Sequence, residues 1–331
     1  MEELLVTARS NALIDPGLHI WTWEVAMYLF LGGMTAGIMV FAAAMTLLNK
    51  DEEAPLATTQ LALLGPVVLS LGMTTLFLDL EHKLFVYRFY TAFMPLSPMS
   101  WGSWVLVFIY PVSLLQILST LRNGYPRLAV YPDRSALGRR VLDWCESNRR
   151  SIAMAAIPFG VALGIYTGIL LSAFSARPFW NTGILGPLFL VSGLSTAAAL
   201  VALAARRHGE RLMFTRIDLV LILVELALVA LFLINLSTGS GVQIEALESI
   251  MGGPYTLLFW GLFIGAGLLV PLLLEVLELR GVSMKVVLLA PVLVLLGGYL
   301  LRQVMLDVGQ ESTWTQYPSQ YNAELLDRLH R

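Results

Sequence analysis

From Ala54 to Leu78 the sequence holds no charged side chain, and stretches of this kind recur along it. Uncharged or nearly uncharged runs cover residues 21–48, 57–78, 101–121, 151–173, 183–205, 217–236, 254–277 and 286–306. Each is long enough for a helix to cross about 30 Å of hydrocarbon, which takes roughly 20 residues. The runs are continuous instead of alternating, so they predict helices and not barrel strands, the two forms that can satisfy backbone polar groups in lipid. The expectation is an all-α integral membrane protein with eight transmembrane helices. It divides into two four-helix bundles, residues 1–173 and 183–306, followed by an external tail over 307–331. "MEELLVTARSNALIDPG" has no basic leader region, so the first run predicts a retained helix. "LGGMTAG" places Gly33 and Gly37 four apart, the spacing that lets membrane helices approach closely.

Composition supports this class. The protein is 57% hydrophobic and 13% charged, about half the charge of an ordinary soluble domain. The net charge of −2 marks no partner, and no basic stripe interleaved with aromatics suggests nucleic acid. Charge placement gives an orientation. Fourteen of the 21 Lys and Arg residues fall in the loops after the first, third, fifth and seventh spans. The excess belongs on the cytoplasmic side, which puts both termini outside. Seven of these arginines lie between Arg122 and Arg150.

The candidate chemistry gathers on the opposite side. "DLEHKLFVYRFYTAFMPLSPMSWGSW" (79–104) brings Asp79, Glu81, His82 and Lys83 together at the end of the second span. Glu24 and Tyr28 share a face of the first helix, four residues apart. Tyr166 lies near the outer end of the fourth span, with Arg177 at the interface. Lys83, Arg88 and Arg177 read most simply as anchors that snorkel, and Trp21, Trp23, Trp101, Trp104 and Trp180 as an outer aromatic belt. A carboxylate inside a span is expensive, so Glu24 and Glu225 point to a pathway or a pair. Asp218, Glu275 and Glu278 sit where ordinary boundary charges would, and Arg302 and Asp307 can pair with each other.

The single cysteine, Cys145, excludes an iron–sulfur cluster held by this protein alone. The four histidines, His19, His82, His208 and His330, are placed too poorly for a buried bis-histidine haem. A Glu–Tyr–His cluster at a membrane surface, without a metal ligand set or a nucleophile triad, suits hydrogen bonding and proton exchange with a quinone. Glu24, Tyr28, Asp79, His82 and Tyr166 are therefore the candidate quinone residues. Lys83, Arg88, Trp101 and Arg177 are the candidate rim or docking residues, and Asp218 and Glu225 a candidate proton path. An ion- or proton-coupled transporter using Asp218 and Glu225 is the alternative, which matching discontinuous helices in the two halves would favour.

"WTWEVAMYLFLGGMTAG" (21–37), "FLDLEHKLFVYRFY…SPMSWGSWVL" (77–106), "YTGILLSAFSARPFWN" (166–181) and "GGYLLRQVMLDVGQ" (297–310) resemble the NrfD/PsrC family of polysulfide reductase-type membrane subunits. The resemblance implies an eight-helix subunit of a bacterial or archaeal cytoplasmic membrane, with no redox centre of its own. It would bind menaquinone or ubiquinone near the outer face and dock an iron–sulfur subunit. That partner would in turn join a molybdopterin or multihaem catalytic subunit. By the same resemblance Glu24, Tyr28 and Tyr166 occupy quinone-contacting positions. "DLEHK" departs from the commoner ending of the second helix, so His82 rests on its own chemistry.

Overall fold

A computed structural model describes residues 20–282 and 288–312. Among the described residues, eight helices are long and apolar enough to cross a membrane: α1 (Trp23–Leu47), α2 (Leu56–Asp79), α3 (Pro98–Gly124), α4 (Arg149–Ser172), α5 (Leu185–Ala204), α6 (His208–Ser237), α7 (Leu257–Leu279) and α8 (Leu289–Glu311). No strand occurs among the described residues. The helices alternate in direction, so the start of α1 and the ends of α2 and α4 share one face of the bundle. The expected tail from 307 begins as helix, because α8 continues to Glu311.

Between apolar helices in lipid there is little hydrophobic drive to associate, and close backbone packing takes its place. Gly33 and Gly37 put α1 against α5. A Cβ on Gly37 would lie 2.5 Å from both Gly193 O and the Ala197 Cβ, and one on Gly193 would lie 2.5 Å from Gly33 O. α7 and α8 meet in the same way, with Gly267 and Gly297 facing each other. α1 also packs on α2, α4 and α8, which makes it the most enclosed of the eight. By contrast α6 shows Val220, Leu223, Val224, Leu231 and Ile234 outward, the surface a lipid-facing helix presents.

Two element boundaries depart from hydropathy. α6 starts at His208 and not near 217, because Glu210 in its first turn is buried and accepts the Ala57 backbone N–H at 2.9 Å. α7 winds with wide, π-type turns over Leu257–Leu269 before becoming α-helical at Val270. Such turns are rare at this length, and they coincide with the close crossing of α8.

Candidate functional site

A cavity of about 400 Å³ opens at the end of the bundle where α1, α2, α3 and α4 converge. Its walls are apolar, with Val25, Leu29, Met73, Leu76, Leu106 and Leu171 among them. Its polar groups are few: the phenols of Tyr28 and Tyr166, the carboxyl of Asp79, Tyr90 and Ser103. Tyr28 and Tyr166 are both buried in the protein. Tyr28 lies within electrostatic reach of Tyr166, Tyr90 and Tyr110, and three of these four phenols, Tyr28, Tyr166 and Tyr90, line the hollow.

Glycines place these side chains. Gly72 of α2 passes the Tyr28 backbone, where a Cβ would meet Tyr28 Cα and O at 3.7 Å and the Leu31 Cβ at 3.1 Å. Gly102 of α3 leaves room for the Tyr166 ring. A Cβ there would lie 1.7 Å from Tyr166 Cζ and 2.0 Å from its hydroxyl. The glycine of "SPMSWGSW" thus sets the direction of a phenol on α4.

Beside the cavity lies a second, more open depression of about 540 Å³, lined by Glu81, His82, Phe85, Arg88, Met94 and Ser100 among others. Leu80, Phe89 and Met99 line both, so the two spaces share a wall. The segment between α2 and α3 that forms this wall exposes Leu84, Phe85, Tyr87, Phe93, Met94 and Leu96. Arg88 lies over the Phe85 ring at 4.5 Å, and the His82 ring stands edge-on to the same ring at 6.4 Å. Burial raises the Tyr90 phenol above its ordinary value, with Tyr110 adding to the shift.

The residues singled out in the sequence fall into separate groups. Tyr28, Asp79 and Tyr166 line the inner cavity. His82 and Arg88 line the outer depression. Glu24, half-buried one turn before Tyr28, is outside both linings. It accepts a hydrogen bond from Thr22 Oγ1 and acts electrostatically on Asp79. Lys83 is exposed in the short turn Lys83–Phe85. Trp101 is exposed and donates its indole N–H to Pro95 O at 2.6 Å, tying the loop to the start of α3. Arg177 donates to Gln310 O at 2.8 Å and Ser312 O at 3.0 Å. A cation there complements the negative end of α8. The same end is tied to α1, since Gln310 bonds Trp21 N and Trp21 O, each at 2.8 Å. His19 and His330 lie outside the described residues.

Three expectations need correction. Trp180 is not a belt residue: it is buried, stacks on Trp21 at 5.7 Å and donates to Met305 O at 2.6 Å. Arg302 does not pair with Asp307. It donates to Ser192 Oγ and Gly298 O at 2.7 Å and to Phe189 O at 3.0 Å, while Asp307 accepts from the Gln303 amide. Neither Asp218 nor Glu275 is a boundary charge: both are buried, side by side. In each case the partner lies on a helix remote in sequence.

These last residues build a buried polar line through α5, α6, α7 and α8. Asp218 accepts from Ser195 Oγ at 2.5 Å and meets the Glu275 side chain. Two turns along α6, about 10 Å by helical rise, Glu225 meets Ser192 and the charge of Arg302. Ser192 therefore bridges Glu225 and Arg302. At the surface, Arg211 pairs with Glu278 at 2.5 Å. Matching discontinuous helices in the two halves, which a transporter would favour, are absent among the described residues.

Fold and cavity together define a multi-pass helical membrane protein with a mostly apolar pocket at one end that carries a few phenols and a carboxyl. Residues 11–312 match the family described as Polysulphide reductase, NrfD, and the protein belongs to that family. It is similar to Protein NrfD of Escherichia coli (strain K12), 30% identical over 310 residues that cover 88% of this sequence and 95% of that protein. It is also similar to one of the chains of the polysulfide reductase of Wolinella succinogenes, 28% identical over 303 residues, covering 88% and 94%. One of the subunits of the selenate reductase of Mesobacillus selenatarsenatis is 24% identical over 291 residues, covering 77% and 66%.

Proposed function

We propose that this protein is the quinone-reacting membrane subunit of a reductase complex. Its NrfD family membership, and relatives named as parts of polysulfide and selenate reductases, support a role within such a complex. The observation that carries the quinone reading is the cavity itself. It is apolar enough for an aromatic headgroup, lies in the usual size range for small-molecule sites, and presents two phenols and a carboxyl.

Quinone reduction takes up two electrons and two protons, and quinol oxidation releases them. The headgroup therefore wants hydrogen-bond donors at its two carbonyl oxygens and a titratable group that meets water. Tyr28 and Tyr166 supply the donors. Asp79, only partly buried at the end of α2, supplies the proton acceptor, and Glu24 modulates it by charge. His82 and Arg88, in the adjoining depression, connect the mouth to solvent. Menaquinone and ubiquinone both have the headgroup this chemistry requires.

The electrons come from or go to a partner, an iron–sulfur subunit that docks over the exposed 80–101 segment, with Lys83, Arg88 and Trp101 at its edge. A molybdopterin or multihaem catalytic subunit lies beyond it. In this reading the cavity end faces outward from a bacterial or archaeal cytoplasmic membrane, and the arginine-rich end faces the cytoplasm. Asp218, Glu225 and Glu275 form a proton route on the cytoplasmic side.

The test uses the assembled complex carrying Tyr28→Phe, Tyr166→Phe or Asp79→Asn. Each should lower quinone-linked turnover at least tenfold while electron transfer from the partner to a soluble dye survives. Wild-type quinone kinetics in all three would place the site elsewhere.

A further inference from the structure

The connection from α3 to α4 is folded, and its surface has two faces with different demands. It forms two short helices, Pro126–Asp133 and Ala136–Ser147. Arg122 at the end of α3 holds them down, bonding Asp133 at 2.6 Å, Asp143 at 2.8 Å and Glu146 at 2.9 Å. Ser135 caps the second helix by accepting from Gly138 N at 2.9 Å. Ala129, Leu142 and Cys145 are buried on the inner side.

The outer side is apolar and has no partner among the described residues. Leu137 (74% exposed), Val141 and Trp144 (55%) stand at i, i+4 and i+7, one stripe of the second helix. Leu128, Val130 and Tyr131 are exposed on the first. Arg127, Arg134, Arg139, Arg140 and Arg150 are exposed around them, and none makes an ion pair with a described residue. Across 122–150 there are seven arginines against three carboxylates, and those three all bind Arg122.

We infer that this hairpin is a binding surface for anionic phospholipid, with Leu137, Val141 and Trp144 entering the acyl boundary and Arg127, Arg139 and Arg140 holding headgroup phosphates. Placement carries the choice of occupant. Only Tyr125 separates the hairpin from α3, and only Asn148 separates it from α4. Both helices are therefore held at the height where spans leave the hydrocarbon. A helix at that depth with an apolar stripe and basic flanks lies in the interface, and the surplus of positive charge selects negative headgroups. The long arginine stems reach the phosphates while their apolar portions stay with the acyl tails.

The full-length protein is reconstituted in nanodiscs of phosphatidylcholine containing one third phosphatidylglycerol, with or without brominated acyl tails. The fluorescence that depends on Trp144, wild type minus Trp144→Phe, should be quenched by the bromine. After extraction into neutral detergent, retained phosphatidylglycerol should exceed its bulk share severalfold. A variant carrying Arg127→Gln, Arg139→Gln and Arg140→Gln should lose that enrichment with an unchanged melting temperature, because these side chains are exposed and unpaired. Leu137→Ser, which leaves the arginines in place, should reduce the quenching. Unquenched Trp144 fluorescence would overturn the proposal, as would equal retention of the two lipids. Quenching that appears only in discs holding two copies of the protein would assign the stripe to self-association instead and overturn it as well.

Discussion

The α1–α4 cavity and the polar line through α5–α8 handle polar groups in a membrane in opposite ways. In the cavity the phenols of Tyr28 and Tyr166 and the Asp79 carboxyl face a hollow. In the second half Arg302 is fully buried, yet three acceptors and the charge of Glu225 surround it. A buried polar group is costly unless it is satisfied. The second half satisfies most of its groups internally, through Ser192, Ser195 and backbone carbonyls, and leaves Asp218 Oδ2, Glu275 Oε2 and Arg302 Nε without a hydrogen-bond partner among the described residues. The first half keeps an open space beside such groups, which is the condition for receiving a ligand. Packing does not follow the same division, since each half has both an enclosed helix, α1 or α5, and largely exposed ones, α2 or α6 and α7.

The largest effect expected from breaking this contrast is at Arg302. Arg302→Met removes the charge that offsets Glu225 and leaves Ser192 and two carbonyls without their donor. Losing one partner of a buried charged pair costs about 3–5 kcal/mol, so the yield of monodisperse protein should collapse. Adding Glu225→Gln should restore part of it. A single variant as stable as wild type would remove the idea that the line is internally compensated.

Gly102 tests the cavity half at a lower cost. Gly102→Ala forces a methyl into the Tyr166 ring, and overpacking of this kind costs about 1–3 kcal/mol. Melting temperature should fall by several degrees and quinone-linked turnover should fall with it. Combining it with Tyr166→Ala should recover the melting temperature but not the turnover, separating a folding defect from loss of the phenol.

A finer comparison lies between the two spaces. Asp79→Asn should lower turnover more than His82→Ala, because Asp79 lines the inner cavity and His82 only the outer depression. Equal losses would merge the two spaces into one site. The smallest effect is at the other end of the molecule. The Arg122 guanidinium holds the Asp133 carboxyl below its ordinary value. A depressed folded value adds stability that is present above about pH 4, the unfolded value, and is lost as pH falls through the folded one. Melting curves between pH 6 and pH 3 should show this loss, and Asp133→Asn should flatten that part of the profile.

Much of this was legible in the residues themselves. Eight spans follow from hydropathy, because the demand that lipid makes on a helix is local and each segment meets it alone. The grouping of Tyr28, Asp79 and Tyr166 near one end also follows, since alternating helices fix which span ends share a side. The Gly33 and Gly37 spacing announces a close approach, though not that α5 is the partner. What only the tertiary structure decided are the relations between distant helices. Glu210 begins α6 early because Ala57 offers an N–H, and Arg177 is drawn to the end of α8 by its carbonyls. Trp180 left the belt for Met305 O, Glu275 found Asp218, and Gly102 made room for Tyr166. Hydropathy reports how a segment meets lipid, whereas a buried polar atom is satisfied by whichever helix lies beside it, and that neighbour is set by packing in three dimensions.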